Sequence, residues 1–465
     1  MKTSIKYTMF TIALMFTMNI TAQDRKLDNY REPDKNGINV FEAQKDTIST
    51  FNGVKVRIGG SSTLQFQALD HENLNPRIND GDDNFSYPNQ LQPIGSNFNL
   101  ATANLDLDVA LAKGVRMHLR TYLSSRHHPE PYVKGGYFQI DNLDFVSEGL
   151  LGDIMKYTTI KIGHMENNYG DAHFRRSDNA QAIYNPFVGN LIMDAFTTEV
   201  GAELYYQKNG FIGMIGMANG KLNQNVKNGN VEYDDDGLVV DEGESGGASF
   251  LAKFGYDKQI DEDFRLRITG SLYNTGYVPS SYLYSADRTG SRYYGVMIAD
   301  GAGDNFRSGR YNPSLRNKIT AIMINPFIKY KGLEFFGTIE TANGKANSEK
   351  KADGSNADDR KVTQFAGELI YRFGQTENFY LGARYNKVSS EDKDADEWSV
   401  DDYKKVDIDR FQMSAGWFLT KNILMKAEYM IQNYNNYEKT VGNIPGSIYE
   451  DGKFNGFILE AVISF

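Results

Sequence analysis

Arg116, His118, Arg120, Tyr122 and Arg126 all fall on even positions of the stretch VRMHLRTYLSSR, while Val115, Met117, Leu119 and Leu123 fall between them. In a strand, side chains alternate, so this spacing gives one polar, mostly cationic face and one apolar face. Cations at successive heights on a wall can attract and sort charged solutes, a job that needs no bond chemistry. Asp106 and Asp108 supply the opposite sign, set against Leu105, Leu107, Val109 and Leu111. Arg265, Arg267 and Tyr273 likewise alternate with Phe264, Leu266, Ile268 and Leu272, and the same rule groups Arg372, Arg384, Arg410, Glu368, Lys426 and Glu428 on polar faces. Two uses of these groups compete: they keep an interior wet, or a basic wall faces Asp106 and Asp108 across the narrowest section and filters solutes by charge.

The usual enzymatic constellations are missing. Ser61, Ser124 and Ser177 have no G-x-S-x-G setting, and the six His include no H-E-x-x-H pair. His127-His128 sits beside Pro, and the Asp clusters at 80–83 and 234–236 do not complete a calcium loop. With no cysteine, disulfides and thiolate metal sites are excluded. The expectation is a non-enzyme without metal or cofactor. A net charge of -10 argues against a nucleic-acid partner.

The elements that must position these charges are strands. Sixteen period-two stretches can be read from Val54 onward, joined alternately by short turns and long polar loops. Lys113-Gly114, Asn209-Gly210, Lys331-Gly332 and Thr420-Lys421-Asn422 mark short turns, and Asn209-Gly210 is the strongest hairpin signal. A soluble sandwich gives no reason for every second connection to be long. An outer-membrane barrel does, because turns on the periplasmic side stay short while loops facing outside grow. Arg or Lys on the lipid face would cost about 2–4 kcal/mol each, so their segregation implies a polar interior. The predicted fold is therefore all-β, a transmembrane antiparallel β-barrel of about sixteen strands, wide enough for an aqueous channel. The stretch RYYGVMIAD could add strands and raise the count to about eighteen.

The loop at 165–195 differs from its polar neighbours. Tyr169, Phe174, Ile183, Tyr184, Phe187, Leu191, Ile192 and Met193 need burial. Folding into the barrel would cover them and carry Glu166, Asp171, Arg175, Arg176 and Asp178 into the channel as a constriction; an ordered, partner-binding surface loop is the competing reading. Residues 1–22 have the charged start, apolar centre and Ala22 end of a secretory signal. Residues 23–50, polar and without periodicity, read as a flexible periplasmic arm, and 51–465 as the barrel. The last strand, FNGFILEAVISF, alternates apolar and polar residues and ends on Phe465. A terminal Phe of this kind resembles the signal read by the barrel-insertion machinery.

The opening strand VKVRIGGSSTLQFQ, the sixteen-strand rhythm, the stretch IGHMENNYGDAHFRRSDNAQAIYNPFVGN and the terminal Phe465 together resemble a Bacteroidota-type outer-membrane porin, similar to the phosphate-selective porin O and P superfamily. The resemblance implies a homotrimeric channel in the outer membrane whose third loop narrows the pore. Phosphate selectivity does not carry over, because the inward arginines here are interspersed with Asp106, Asp108, Glu368 and Glu428. The expected function is passive diffusion of small hydrophilic solutes and ions. The alternatives are a non-conducting barrel serving as scaffold or surface adhesion protein, and an anion- or phosphate-selective channel.

Overall fold

The computed structural model describes residues 27–46, 48–74, 90–124, 131–221, 226–229, 231–243, 246–285, 294–303, 307–392, 403–437 and 447–465. The signal-like segment 1–22, Arg126, His127-His128 and the Asp cluster at 80–83 lie outside them.

The strands run β1 Lys55–Glu72, β2 Asn97–Ala112, β3 Val115–Ser124, β4 Tyr132–Ile140, β5 Thr158–Glu166, β6 Thr198–Lys208 and β7 Phe211–Ala218. A two-stranded flap, β8 Glu232–Tyr233 and β9 Val239–Asp241, interrupts the series. It resumes with β10 Ser249–Gln259, β11 Phe264–Thr275, β12 Lys318–Tyr330, β13 Leu333–Lys345, β14 Arg360–Phe373, β15 Phe379–Asp392, β16 Lys404–Thr420, β17 Ile423–Asn435 and β18 Lys453–Ser464. Without the flap these are sixteen strands, each antiparallel to its chain neighbours. β18 closes the barrel on β1, in register from Ser61 opposite Ser464 to Glu72 opposite Lys453.

Local chemistry explains the hairpins. Asn209 and Gly210 both have positive φ (55° and 89°), the backbone a two-residue turn needs to match strand twist. Leu105, Leu119, Ile268, Leu459 and Ile463 are exposed on the outer wall, whereas Asp106, Arg116, Arg267 and Arg384 are buried on the inner one. That is the apolar-out, polar-in alternation of a membrane-spanning barrel. No described helix is long and apolar enough to cross a membrane.

The interior departs from the open channel expected of this strand number. Three segments fold into it: 27–46 at the short-turn end, 167–197 between β5 and β6, and described parts of the loop between β11 and β12. Tyr169, Val188, Ile192 and Met193 of the second form one buried cluster with Leu283, Tyr284, Tyr294, Val296 and Met297 of the third, against inner-wall residues such as Tyr205, Tyr273, Tyr434 and Phe454. Of the stretch RYYGVMIAD, residues 292–300, read as a candidate extra strand, the described part 294–300 belongs to this packing and forms no barrel strand, so the count among the described residues stays at sixteen. Their apolar side chains gain more by filling the lumen than a lengthened wall could offer them. Within the arm 23–50, described from 27 on except at 47, Leu27, Asp34, Asn39 and Phe41 are buried, and Asp34 caps a 3-10 turn at Lys35–Gly37. The arm's polar composition suits an interior lined with charges, which composition alone does not separate from disorder.

Candidate functional site

The interior is held by charges on alternate strand positions reaching for inserted backbone. Lys426 on β17 donates to the carbonyls of Ala182 (3.0 Å), Asn185 (3.3 Å) and Phe187 (2.9 Å). Two residues along the same face, Glu428 accepts from the N–H groups of Val188 (2.8 Å) and Gly189 (3.3 Å). Arg384 donates to the carbonyl of Gly189 (2.7 Å) and Arg410 to that of Asn190 (2.8 Å). Asn386 and Gln364 accept from Ile192 (2.6 Å) and Met193 (3.0 Å). A loop without its own ladder thus has its backbone groups satisfied by the wall, which buried irregular chain requires.

The charged residues of this loop are distributed as follows. Asp171 lies between Arg267 (2.8 Å) and Lys253 (3.1 Å) and also accepts from Thr269 (2.7 Å). Burial opposes its charge, but Arg267 and Lys253 hold its carboxyl below the usual range. Arg175 reaches Glu368 at 3.4 Å, and Arg176 pairs with Asp194 at 2.7 Å. Asp178 stands 3.7 Å from Lys134. Glu166, at the end of β5, contacts His173 at 2.5 Å and accepts from Asn179 (2.9 Å) and Gln181 (2.8 Å).

Arg116, Arg120, Arg265, Arg267 and Arg384 all point inward, but they are paired. Arg120 makes a two-pronged pair with Asp106, both contacts 2.7 Å. Asp108 contacts His118 at 2.8 Å and Arg116 at 3.6 Å. The acidic groups expected across the lumen from the arginines therefore sit beside them on the same wall. The register of β2 and β3 places Asp106 opposite Arg120 and Asp108 opposite His118, one residue off the count from the Lys113-Gly114 turn because of a bulge between Ala110 and Ala112. Counting residues back from that turn sets Asp106 opposite Thr121 and Asp108 opposite Leu119 instead, so the bulge hides these pairs from the sequence. Arg265 pairs with Asp257 (2.7 Å), Arg267 with Asp171, Asp257 (3.0 Å) and Glu42 (2.7 Å), and Arg384 with Glu368 (3.2 Å). Arg267 and Arg384, with 0% and 2% of their side chains exposed, anchor inserted chain rather than line open water. Phe465 is half exposed on the outer wall and exchanges backbone hydrogen bonds, each 3.0 Å, with Gly60.

Several groups escaped the sequence reading. Tyr30, Arg31, Asn39, Phe41 and Glu42 enter from the N-terminal segment. Arg31 lies over the ring of Tyr184 at 3.6 Å, and burial lowers its guanidinium to about 10. Glu42, opposed by burial, is held well below the usual carboxylate range by Arg267 and Lys253. Lys161 of β5 faces inward with its ammonium 4.9 Å from the Tyr205 ring centre. Period two at β5 and β10 could have found Lys161 and Lys253; nothing periodic marks residues 27–46.

Several spaces are left among the described residues, and two of them bear on the interior. A chamber of about 190 Å³ lies against β2–β5, bounded by Arg31, Arg116, His118, Arg120, Lys134, Lys161 and Glu166 among others. A vestibule of about 980 Å³ opens at the short-turn end. Asn29, Tyr30, Phe41, Glu42 and Ala43 border both.

No family model matches the chain, and no curated protein matches it. Among solved structures it is similar to an anion-selective porin from Comamonas acidovorans, with 9% identity over 89% of this chain and 100% of that one at a TM-score of 0.49. It is similar also to the outer membrane channel DcaP of Acinetobacter baumannii, with 11% identity over 90% and 99% of the two chains at 0.47. A third is OmpT, an outer membrane protein of Vibrio cholerae, with 11% identity over 90% and 100% at 0.45. With so few identical residues, no property of these proteins carries over to this chain.

Proposed function

We propose that the chain is an outer-membrane channel for passive diffusion of small hydrophilic solutes and ions. The observation that carries this reading is the closed sixteen-stranded wall, apolar outside and charged inside, around a chamber and a vestibule. In this reading the short turns face the periplasm, the long loops face outward, residues 1–22 direct export, and Phe465 serves barrel insertion. The segment 167–197 narrows the passage, with Arg116 and Arg120 on the chamber wall biasing which ions enter. A homotrimer belongs to the proposal and is checked by the mass of the unheated, detergent-extracted protein.

Unitary current steps in a planar bilayer test the channel. A second reading, a non-conducting scaffold or adhesion barrel, is favoured by the packed lumen and by the β8–β9 flap, which exposes Tyr233, Leu238, Val239 and Val240. Assembled barrels that give no steps even after residues 27–46 are removed would sink the channel in favour of the scaffold.

A further inference from the structure

Residues 27–46 cross the short-turn mouth and touch the wall at points spread around its ring. The Lys45 ammonium donates to the carbonyls of Asp141 (2.7 Å) and Thr158 (2.5 Å), flanking the β4–β5 connection. The Lys35 N–H donates to the Lys421 carbonyl (2.9 Å) in the β16–β17 turn. Arg265 of β11 donates to the Asn39 carbonyl (2.9 Å), and the Tyr30 hydroxyl donates to Asp108 of β2 (2.9 Å). At the centre Phe41 meets Phe327 and Phe174 edge-on, with ring centres 5.4 Å and 5.8 Å apart, and Glu42 bridges Arg267 (2.7 Å) and Lys253 (3.1 Å).

What distinguishes this segment from the loop at 167–197 is that it can leave without stranding the wall's charges. Arg267 keeps Asp171 and Asp257, and Lys253 keeps Asp171. Glu334, which accepts from Asn39, keeps Arg372 at 2.8 Å, and Asp108 keeps His118. The released Glu42 and Arg31 would return to water, where charges are cheapest. Removing 167–197 would instead take Asp171 from between two buried cations and the carbonyls from Arg410 and Lys426.

We propose that residues 27–46 form a hatch: docked, they separate chamber from vestibule and close the passage at the short-turn mouth, and solute crosses when they are displaced. This rests on the channel reading above. The chain contains no cysteine, so Lys161→Cys places a single thiol in the chamber, which this segment walls off from the vestibule. Three barrels carrying it are compared in detergent: the full mature chain, one lacking 27–46, and one with Phe41→Ser and Glu42→Gln, which keeps the chain length if the deletion fails to assemble. Modification by a charged methanethiosulfonate reagent is expected at least tenfold faster in the altered barrels, with unitary conductance in bilayers raised severalfold. Equal modification rates overturn the hatch, as does a conducting channel whose conductance and open probability are unchanged. Faster modification with every bilayer silent supports a displaceable cover and sinks the channel reading instead.

Discussion

Asp171 neutralises two cations at once: Arg267 and Lys253 both have fully buried side chains and both reach it within 3.1 Å. Glu42 stays on both cations and Asp257 on Arg267, so Asp171→Asn removes one charged partner from each and is expected to destabilise the assembled barrel by about 1.5–3 kcal/mol. The measurement is the urea midpoint for loss of the heat-modifiable folded band, and an unchanged midpoint contradicts the assignment. Glu42 lies beside the same cations, with Asp171 as the nearby like charge. Its folded carboxyl is depressed, so its contribution to docking is fully present above the ordinary value of 4.5 and is lost as pH falls through the lowered one. Modification of the chamber thiol, taken at each pH relative to the barrel lacking 27–46 so that the thiolate fraction cancels, should therefore be slow and flat from about pH 8 to pH 5 and accelerate only in stronger acid. Glu42→Gln should remove that acceleration; a rate climbing through pH 6 would point to a different group.

At the scale of elements, the closing strand depends on one backbone position. Gly456 in β18 has φ of 138°, and a Cβ there would stand 2.3 Å from the Ala68 carbonyl oxygen of β1. The partner is wall backbone, which cannot swing aside as a side chain would. Gly456→Ala should cost about 3 kcal/mol and lower the yield of assembled barrel, read as the heat-modifiable fraction after refolding. The strand itself was plain from its alternation, and Asn209-Gly210 announced its hairpin, because both signals are local. The apolar residues of 167–197 announced a need for burial. The same criterion applied to Leu283, Tyr284 and Val296 marks the β11–β12 loop as an inward one, although its apolar run also resembles a strand.

For the molecule as a whole, the question is which charges an ion meets. Arg116 and Arg120 border the chamber, with Asp106 and Asp108 as neighbours on the same wall. Replacing both arginines by Ala leaves two carboxylates without those partners. In a KCl gradient the cation-to-anion permeability ratio should then rise by about twofold or more. The reversal potential measures it, and no movement removes these arginines from selectivity. The bias should weaken in high salt, where the Debye length shrinks to about 3 Å at 1 M.

Alternation, turn residues and the long-short rhythm of connections determined the wall: that it is a barrel of about sixteen to eighteen strands, which residues face in, and where the short hairpins fall. These follow from the sequence because strand period and turn chemistry act within a few residues. Only the tertiary structure decided what the wall encloses. Asp106 lies beside Arg120 rather than across from it, Tyr294 fills the lumen instead of extending a sheet, and Glu42 crosses to Arg267 from a segment with no periodicity of its own. The Glu42–Arg267 contact joins residues 225 positions apart, and the Asp106–Arg120 pair, only 14 apart, turns on a bulge that no local signal marks. The long-range contacts are chosen by which inserted segment best covers the apolar and charged groups that barrel closure brings together.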